Sequence, residues 1–304
     1  MMKDFLAIID CPIEMLNELL ELSASLKRLY KGGGRDLCLS GKTLAMLFEK
    51  PSLRTRISFQ VAMRDLDGSS IYVKPEDIGG IGKREPIKDM ARVFSRYVDV
   101  IMARTFEHST VTELAKYAGV PVINALTDWS HPCQAMADVL TIKEHLGRIK
   151  GVRLAYVGDG NNVARSLAFA AGKFGMKMII ASPAGYELDA ETIARANAVM
   201  VGSIVQTNDP KAAVAEADVI YTDTWVSMGQ EAEEQKRVAA FAGFQVDAAL
   251  VNCAADGVKI MHCLPAHRGY EITDEVTEMP NSIIYDQAEN RLHFQRALLK
   301  KLVN

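Results

Sequence analysis

No apolar run in this 304-residue chain approaches the roughly 18 residues that a membrane-spanning helix needs, so none is expected. Blocks of like charge are also missing. Lys and Arg number 35 against 38 Asp and Glu, a net charge of -3, which argues against nucleic acid or a membrane surface as a main partner. Local basic spots should then serve a small anion. The five cysteines, Cys11, Cys38, Cys133, Cys253 and Cys263, are odd in number and unpaired in spacing. They exclude a disulfide framework and fit a reduced cytoplasm. The opening Met1-Met2-Lys3-Asp4-Phe5 lacks the long apolar core of a secretion signal. Tandem repeats and low-complexity segments are absent. Gly158-Asp159-Gly160 is only part of a dinucleotide fingerprint: its third glycine would fall at Val163, and Ser182-Pro183 replaces the acidic residue after the next strand. His262, Cys263 and His267 lack zinc-finger spacing, and neighbours on a strand point apart, so no metal is expected.

What is present is an ordinary globular composition, 49% hydrophobic and 24% charged, in a chain long enough for two cores. Ile13, Leu16, Leu19, Leu20, Leu26 and Leu29 recur at helical spacing up to Gly32-Gly33-Gly34. Short apolar runs then alternate with amphipathic segments: 43–48, a helix over 53–65, 70–73, a helix over 87–97, 98–103, 120–125 and a helix over 133–146. After a boundary within 143–151 the alternation restarts with strands at 153–157, 178–181, 219–222 and 260–262. This pattern predicts an α/β protein of two domains, each a parallel sheet flanked by helices, with the active site in the cleft between them. The expected divisions are residues 1–148, 149–287, and a C-terminal helix over 288–304 that packs back on the first domain.

Ligands of open parallel sheets bind beyond the carboxyl ends of the strands, and the unusual polar residues of this chain collect there. Ser52-Leu53-Arg54-Thr55-Arg56 follows the run 43–48, with Ser52 placed to N-cap a helix after Pro51. A helix N-terminus carries roughly +0.5 charge, so Arg54 and Arg56 in its first turn repel the dipole unless an anion sits there. Arg104 closes the third strand, and His131-Pro132-Cys133-Gln134 follows the fourth. In the second half come Gly158 to Asn162, Asp223 with Ser227-Met228-Gly229, and His262-Cys263-Leu264-Pro265. Each has an ordinary alternative: a surface arginine, a helix cap, a turn, a loop or a buried thiol.

In register, these segments resemble the aspartate/ornithine carbamoyltransferase family over the length of the chain. Ser52 to Arg56 is similar to its S-x-R-T-R signature and His131 to Gln134 to its H-P-x-Q. Asp223 to Gly229 is similar to D-x-x-x-S-M-G, and His262 to Pro265 to the H-C-L-P of the ornithine branch. The resemblance implies that Ser52, Leu53, Arg54, Thr55, Arg104, His131, Gln134, Cys263, Leu264 and Arg291 bind carbamoyl phosphate, with Arg56 bracing the phosphate loop. It implies that Asn162, Asp223, Ser227 and Met228 bind ornithine, and that Arg104, His131, Gln134, Asp223 and Cys263 do the catalytic work. Citrulline and phosphate would be the products, without cofactor, in a cytoplasmic homotrimer or a multiple of trimers. The alternatives are a sister enzyme acting on putrescine, acetylornithine or aspartate, a nucleotide-dependent oxidoreductase, and a binding protein without turnover. Residues 230–237 are expected to form a mobile flap. Gly79-Gly80-Ile81-Gly82 replaces a loop that, in many relatives, carries a glutamine to a neighbouring subunit, and should be mobile.

Overall fold

The computed structural model describes residues 3–227 and 229–303, and internal contacts divide the chain into two units. One comprises Met1–Leu140 and Glu289–Asn304, the other Thr141–Ala288. Each contains a fully parallel sheet.

The first sheet runs β2-β1-β3-β4, with β1 Thr43–Phe48, β2 Ser69–Val73, β3 Val100–Arg104 and β4 Val122–Leu126. Its inner strands are near-continuous apolar runs because helices cover a parallel sheet on both faces. Leu47, Ile101, Ala103, Leu114 and Val122 are fully buried in one shared cluster. The edge at β4 is closed by the N-terminal segment, where Phe5 bridges to Ile123 and Lys3 donates to the carbonyls of Ala115 and Ala118. The third strand begins two residues later than the apolar run suggests. Val98 instead ends the helix Ile87–Tyr97, its N–H donating to the Phe94 carbonyl, and Arg104 joins the strand.

The second sheet runs β7-β6-β5-β8-β9, with β5 Arg153–Val157, β6 Lys177–Ala181, β7 Ile204–Thr207, β8 Val219–Thr222 and β9 Lys259–His262. Sequence periodicity misses β7, a four-residue edge strand with only Ile204 buried. The last helix starts at Ile284, ahead of the expected residue 288.

Both sheets change direction of winding at one point. In the first, the chain passes from β1 to β2 on one side and then returns to β3 on the other; in the second, β5 and β8 flank the equivalent crevice. Loops after the two strands of such a pair splay apart and leave a ligand-sized gap at their carboxyl ends. The loops after β1 and β3 carry Ser52 to Arg56 and follow Arg104. Those after β5 and β8 carry Gly158 to Asn162 and Asp223 to Ser227.

Candidate active site

Of the predicted anion-binding residues, Ser52, Leu53, Arg54, Thr55, Arg104, His131, Gln134 and Arg291 belong to the first unit, and Cys263 and Leu264 to the second. Ser52, in extended conformation, caps the helix Leu53–Asp65 by accepting from the Thr55 N–H at 3.3 Å. Its hydroxyl also lies 3.1 Å from Thr55 Oγ1. Such a cap stabilises a helix by about 1 kcal/mol and here also shapes the turn carrying Leu53 and Arg54. Thr55 is buried, and Arg291 Nη2 donates to its Oγ1 at 3.4 Å. Arg291 Nη1 donates to Gln134 Oε1 at 2.6 Å, so the late arginine, the phosphate turn and the H-P-x-Q helix form one hydrogen-bonded group. His131 lies just before that helix, Pro132–Leu146, its carbonyl accepting from the N–H groups of Gln134 and Ala135. The preceding loop is pinned by Asn124, a residue sequence reading passed over, whose side chain donates to the carbonyls of Leu6 and Ser130. Arg56 lies outside this group. It is exposed, with its guanidinium carbon 4.1 Å from the centroid of the Tyr72 ring, so it braces β2 and not the turn.

Burial holds the His131 imidazole well below its usual range, and the charges of Arg291, Arg104, Lys50 and Arg54 push it the same way. The ring is therefore neutral at pH 7, a hydrogen-bond donor without charge. Four cations bearing on one buried imidazole make this crevice strongly electropositive. Lys50, one of these four, has its Nζ 4.7 Å from the Phe106 ring centroid. Burial, and then the charge of Arg104, bring it down to about 8. Lys50 is thus charged at pH 7 and neutral at pH 9, so the crevice loses a positive charge as pH rises. Affinity for inorganic phosphate should fall about fivefold over that span, the effect of roughly 1 kcal/mol of lost attraction. Calorimetric titration should find this fall abolished in Lys50→Met, and an unchanged slope in that variant would contradict it.

In the second unit Asp223 is the hub. Its Oδ1 accepts from the Cys263 thiol at 2.9 Å and from the Thr224 N–H at 2.8 Å; its Oδ2 accepts from Asn161 Nδ2 at 2.9 Å. Asn161 itself caps the helix Asn162–Phe174, its Oδ1 accepting from Val163 and Ala164. This double duty leaves the predicted Asn162 as the first helical residue, half-buried. Gly160 is required by close approach: a Cβ there would lie 2.3 Å from the Leu188 nitrogen. Ser227 is half-buried, its N–H donating to Gln230 Oε1, while the predicted Met228 lies outside the described residues.

His262 is fully used by its own loop. Its Nδ1 accepts from the Leu264 N–H at 2.8 Å, so Nε2 carries the hydrogen and donates to the buried Glu271 at 2.9 Å. Asp223, His262 and Cys263 do present ligand atoms within 4.8 Å of one another. Binding a metal through His262 would break one of its two hydrogen bonds.

The segment expected to be a flap forms a 3-10 turn, Glu231–Glu233, and the helix Glu234–Ala240. Its far end is anchored, because Arg237 is buried and donates to Asp159 Oδ2 at 2.9 Å and to the Trp225 carbonyl at 3.0 Å. The glycine loop is also anchored. Gly79, Gly80 and Gly82 take positive φ, and between them Ile81 is buried in the first unit's core.

The first unit carries a serine-capped helix N-terminus bonded through Thr55 to Arg291 and Gln134, and the second carries a carboxylate bonded to a thiol and an amide. Residues 3–144 match the carbamoyl-P binding domain of aspartate/ornithine carbamoyltransferases, and residues 150–302 match their Asp/Orn binding domain. The chain belongs to the aspartate/ornithine carbamoyltransferase family. It is 53% identical over 304 residues to the ornithine carbamoyltransferase of Anoxybacillus flavithermus, covering 99% of this chain and 96% of that one. It is 52% identical over 300 residues to the anabolic ornithine carbamoyltransferase of Pyrococcus furiosus, covering 98% and 95%. A solved structure of the ornithine carbamoyltransferase from Pyrococcus furiosus superposes with a TM-score of 0.96 at 51% identity, covering 99% and 97%. Among the described residues no helix is long and apolar enough to cross a membrane.

Proposed function

We propose that this protein transfers the carbamoyl group of carbamoyl phosphate to the side-chain amine of L-ornithine, giving L-citrulline and phosphate. The observation that carries this reading is the hydrogen-bonded group of Arg291, Gln134 and Thr55 beside a serine-capped helix N-terminus, with the charges of Arg104, Lys50 and Arg54 also bearing on the buried His131. Ser52, Leu53, Arg54 and Thr55 surround the phosphate with backbone N–H groups, hydroxyls and a guanidinium. Arg104 and neutral His131 donate to the carbonyl oxygen, where negative charge grows as the carbon becomes tetrahedral. Gln134 accepts from the carbamoyl NH2, and Cys263 and Leu264 complete the donor's surroundings.

Asp223 accepts from the α-ammonium of ornithine, and Asn162, Ser227 and the Met228 backbone meet its zwitterionic end. An alkyl amine with a pKa of about 10.4 is unprotonated in only about one molecule in a few thousand at pH 7, so the site must help remove a proton. The amine nitrogen then attacks the carbonyl carbon, a C–N bond forms, and the C–O bond to phosphate breaks with its electron pair leaving on phosphate. The departing phosphate takes the last proton. Transfer requires the amine held by the second unit to reach the acyl carbon held by the first. Carbamoyl phosphate binds first, and residues 230–237 then cover the amino acid and exclude water from a labile anhydride.

The anabolic name of the Pyrococcus furiosus relative favours a role in arginine biosynthesis. Five free cysteines favour a reducing cytoplasm, and we assign a homotrimer or a multiple of trimers, with neither nucleic acid nor membrane as partner. The test is citrulline formation from carbamoyl phosphate with ornithine, putrescine, acetylornithine and aspartate in parallel. Turnover with ornithine alone is expected. Turnover with another amine would transfer the assignment to a sister enzyme, and binding without turnover would make the protein a sensor.

A further inference from the structure

Gln134 is held at both ends of its amide. Arg291 Nη1 donates to Oε1 at 2.6 Å, and Gln134 Nε2 donates to Asp138 Oδ1 at 2.8 Å. A guanidinium can only donate and a carboxylate can only accept, so these two partners permit one orientation of the amide and forbid its flip. Asp138 lies one helical turn after Gln134, on the same face of the helix Pro132–Leu146. It is fully buried, and Gln134 and Arg291 are nearly so. A carboxylate in such a place is costly unless it is hydrogen-bonded and paired.

Within the carbamoyl transfer reading, on which this inference rests, the oxygen of Gln134 is the atom that meets the carbamoyl NH2. Its second lone pair remains for that purpose once Arg291 has taken the first. One hydrogen bond leaves the amide able to pivot about it; two fix its plane and aim that lone pair. We propose that Asp138 is a positioning residue that fixes the amide of Gln134 with its oxygen toward the donor's NH2, and so lets the site tell a carbamoyl group from other acyl groups. An acyl phosphate bearing a methyl group in place of NH2 cannot donate to that oxygen, and leaves a buried acceptor poorly satisfied.

The test compares two stable ligands that differ only in this group, phosphonoacetamide and 2-oxopropylphosphonate, by calorimetry on the full-length protein. The unaltered protein should prefer phosphonoacetamide by about tenfold or more, the worth of one aligned hydrogen bond in a buried site. Asp138→Leu should lose most of that preference through weaker amide binding, with the methyl ketone bound within about twofold of the unaltered value. Asp138→Asn keeps an oxygen that accepts from Nε2 and should restore the preference. If the leucine variant does not fold, Asp138→Ser, whose hydroxyl is too short to reach Nε2, takes its place. A purely structural role would weaken both ligands together and leave the ratio unchanged, which would overturn the inference. So would an asparagine variant as indiscriminate as the others. An unaltered protein that makes citrulline and prefers the amide, with variants that keep the preference, overturns only the role of Asp138. One that binds neither phosphonate overturns the reading beneath it as well.

Discussion

Arg104→Gln is expected to lower kcat/KM for carbamoyl phosphate by about 10³-fold, with most of the loss in kcat. The magnitude follows from what one pre-aligned donor to a developing oxyanion contributes, about 10² to 10³ in rate, and part of the ground-state attraction for phosphate is lost as well. Position supports it. Arg104 is the last residue of β3, nearly buried, with its backbone fixed by the Glu49 N–H donating to its carbonyl. It stands on the sheet and not on a flexible loop, so its guanidinium is placed before substrate arrives. Glutamine keeps two donors but not the charge or the fork. Steady-state kinetics with saturating ornithine check the expectation, and a change confined to KM would assign Arg104 to ground-state binding alone.

The second large effect is expected at Asp223. In Asp223→Asn, an amide NH2 must face Asn161 Nδ2, the Cys263 thiol or the Thr224 N–H, all of which now donate to the carboxylate. One buried clash of donors follows whichever way the amide turns. We expect kcat to fall about 10³-fold, combining a lost charged acceptor for ornithine with a displaced thiol. Affinity for phosphonoacetamide should stay within about twofold, because the donor's phosphate and amide are held by other residues. Cys263→Ser is the milder companion, since a hydroxyl can still donate to Asp223. A fall of about tenfold with a displaced pH profile would give the thiol a part in moving the amine's proton. An unchanged rate and profile would remove it from that role.

How much of this was legible beforehand depended on how local each interaction is. β1 and β5 could be read directly, because strands covered on both faces must be apolar at nearly every position. Ser52 could be read as a cap, because the cap and its N–H partner are three residues apart. The chemistry-bearing residues could be found because a parallel sheet confines its ligands to one end of its strands. Residues whose partners lie far along the chain could not be read this way. Asp138 looks like any solvated acid in an amphipathic helix until Arg291 and Gln134 are seen to converge. Arg237 looks like one of a row of surface charges until Asp159, distant in sequence, buries it. Asn161 and Asn162 are adjacent and of one type, and it is the helix cap and the hydrogen bond to Asp223 that distinguish Asn161. Arg56 packs on the Tyr72 ring of β2, a contact that local spacing does not announce. The edge strand β7, with one buried residue in four, carries too little apolar signal to announce itself.

The most direct test of the account is a crystal structure with phosphonoacetyl-ornithine, which joins both substrates in one molecule. Its phosphonate should rest on the turn from Ser52 to Thr55 with Arg104 against it, its acyl oxygen should face His131, and its α-ammonium should lie against Asp223. A phosphonate bound away from that turn, or an amino acid end remote from Asp223, would contradict the assignment.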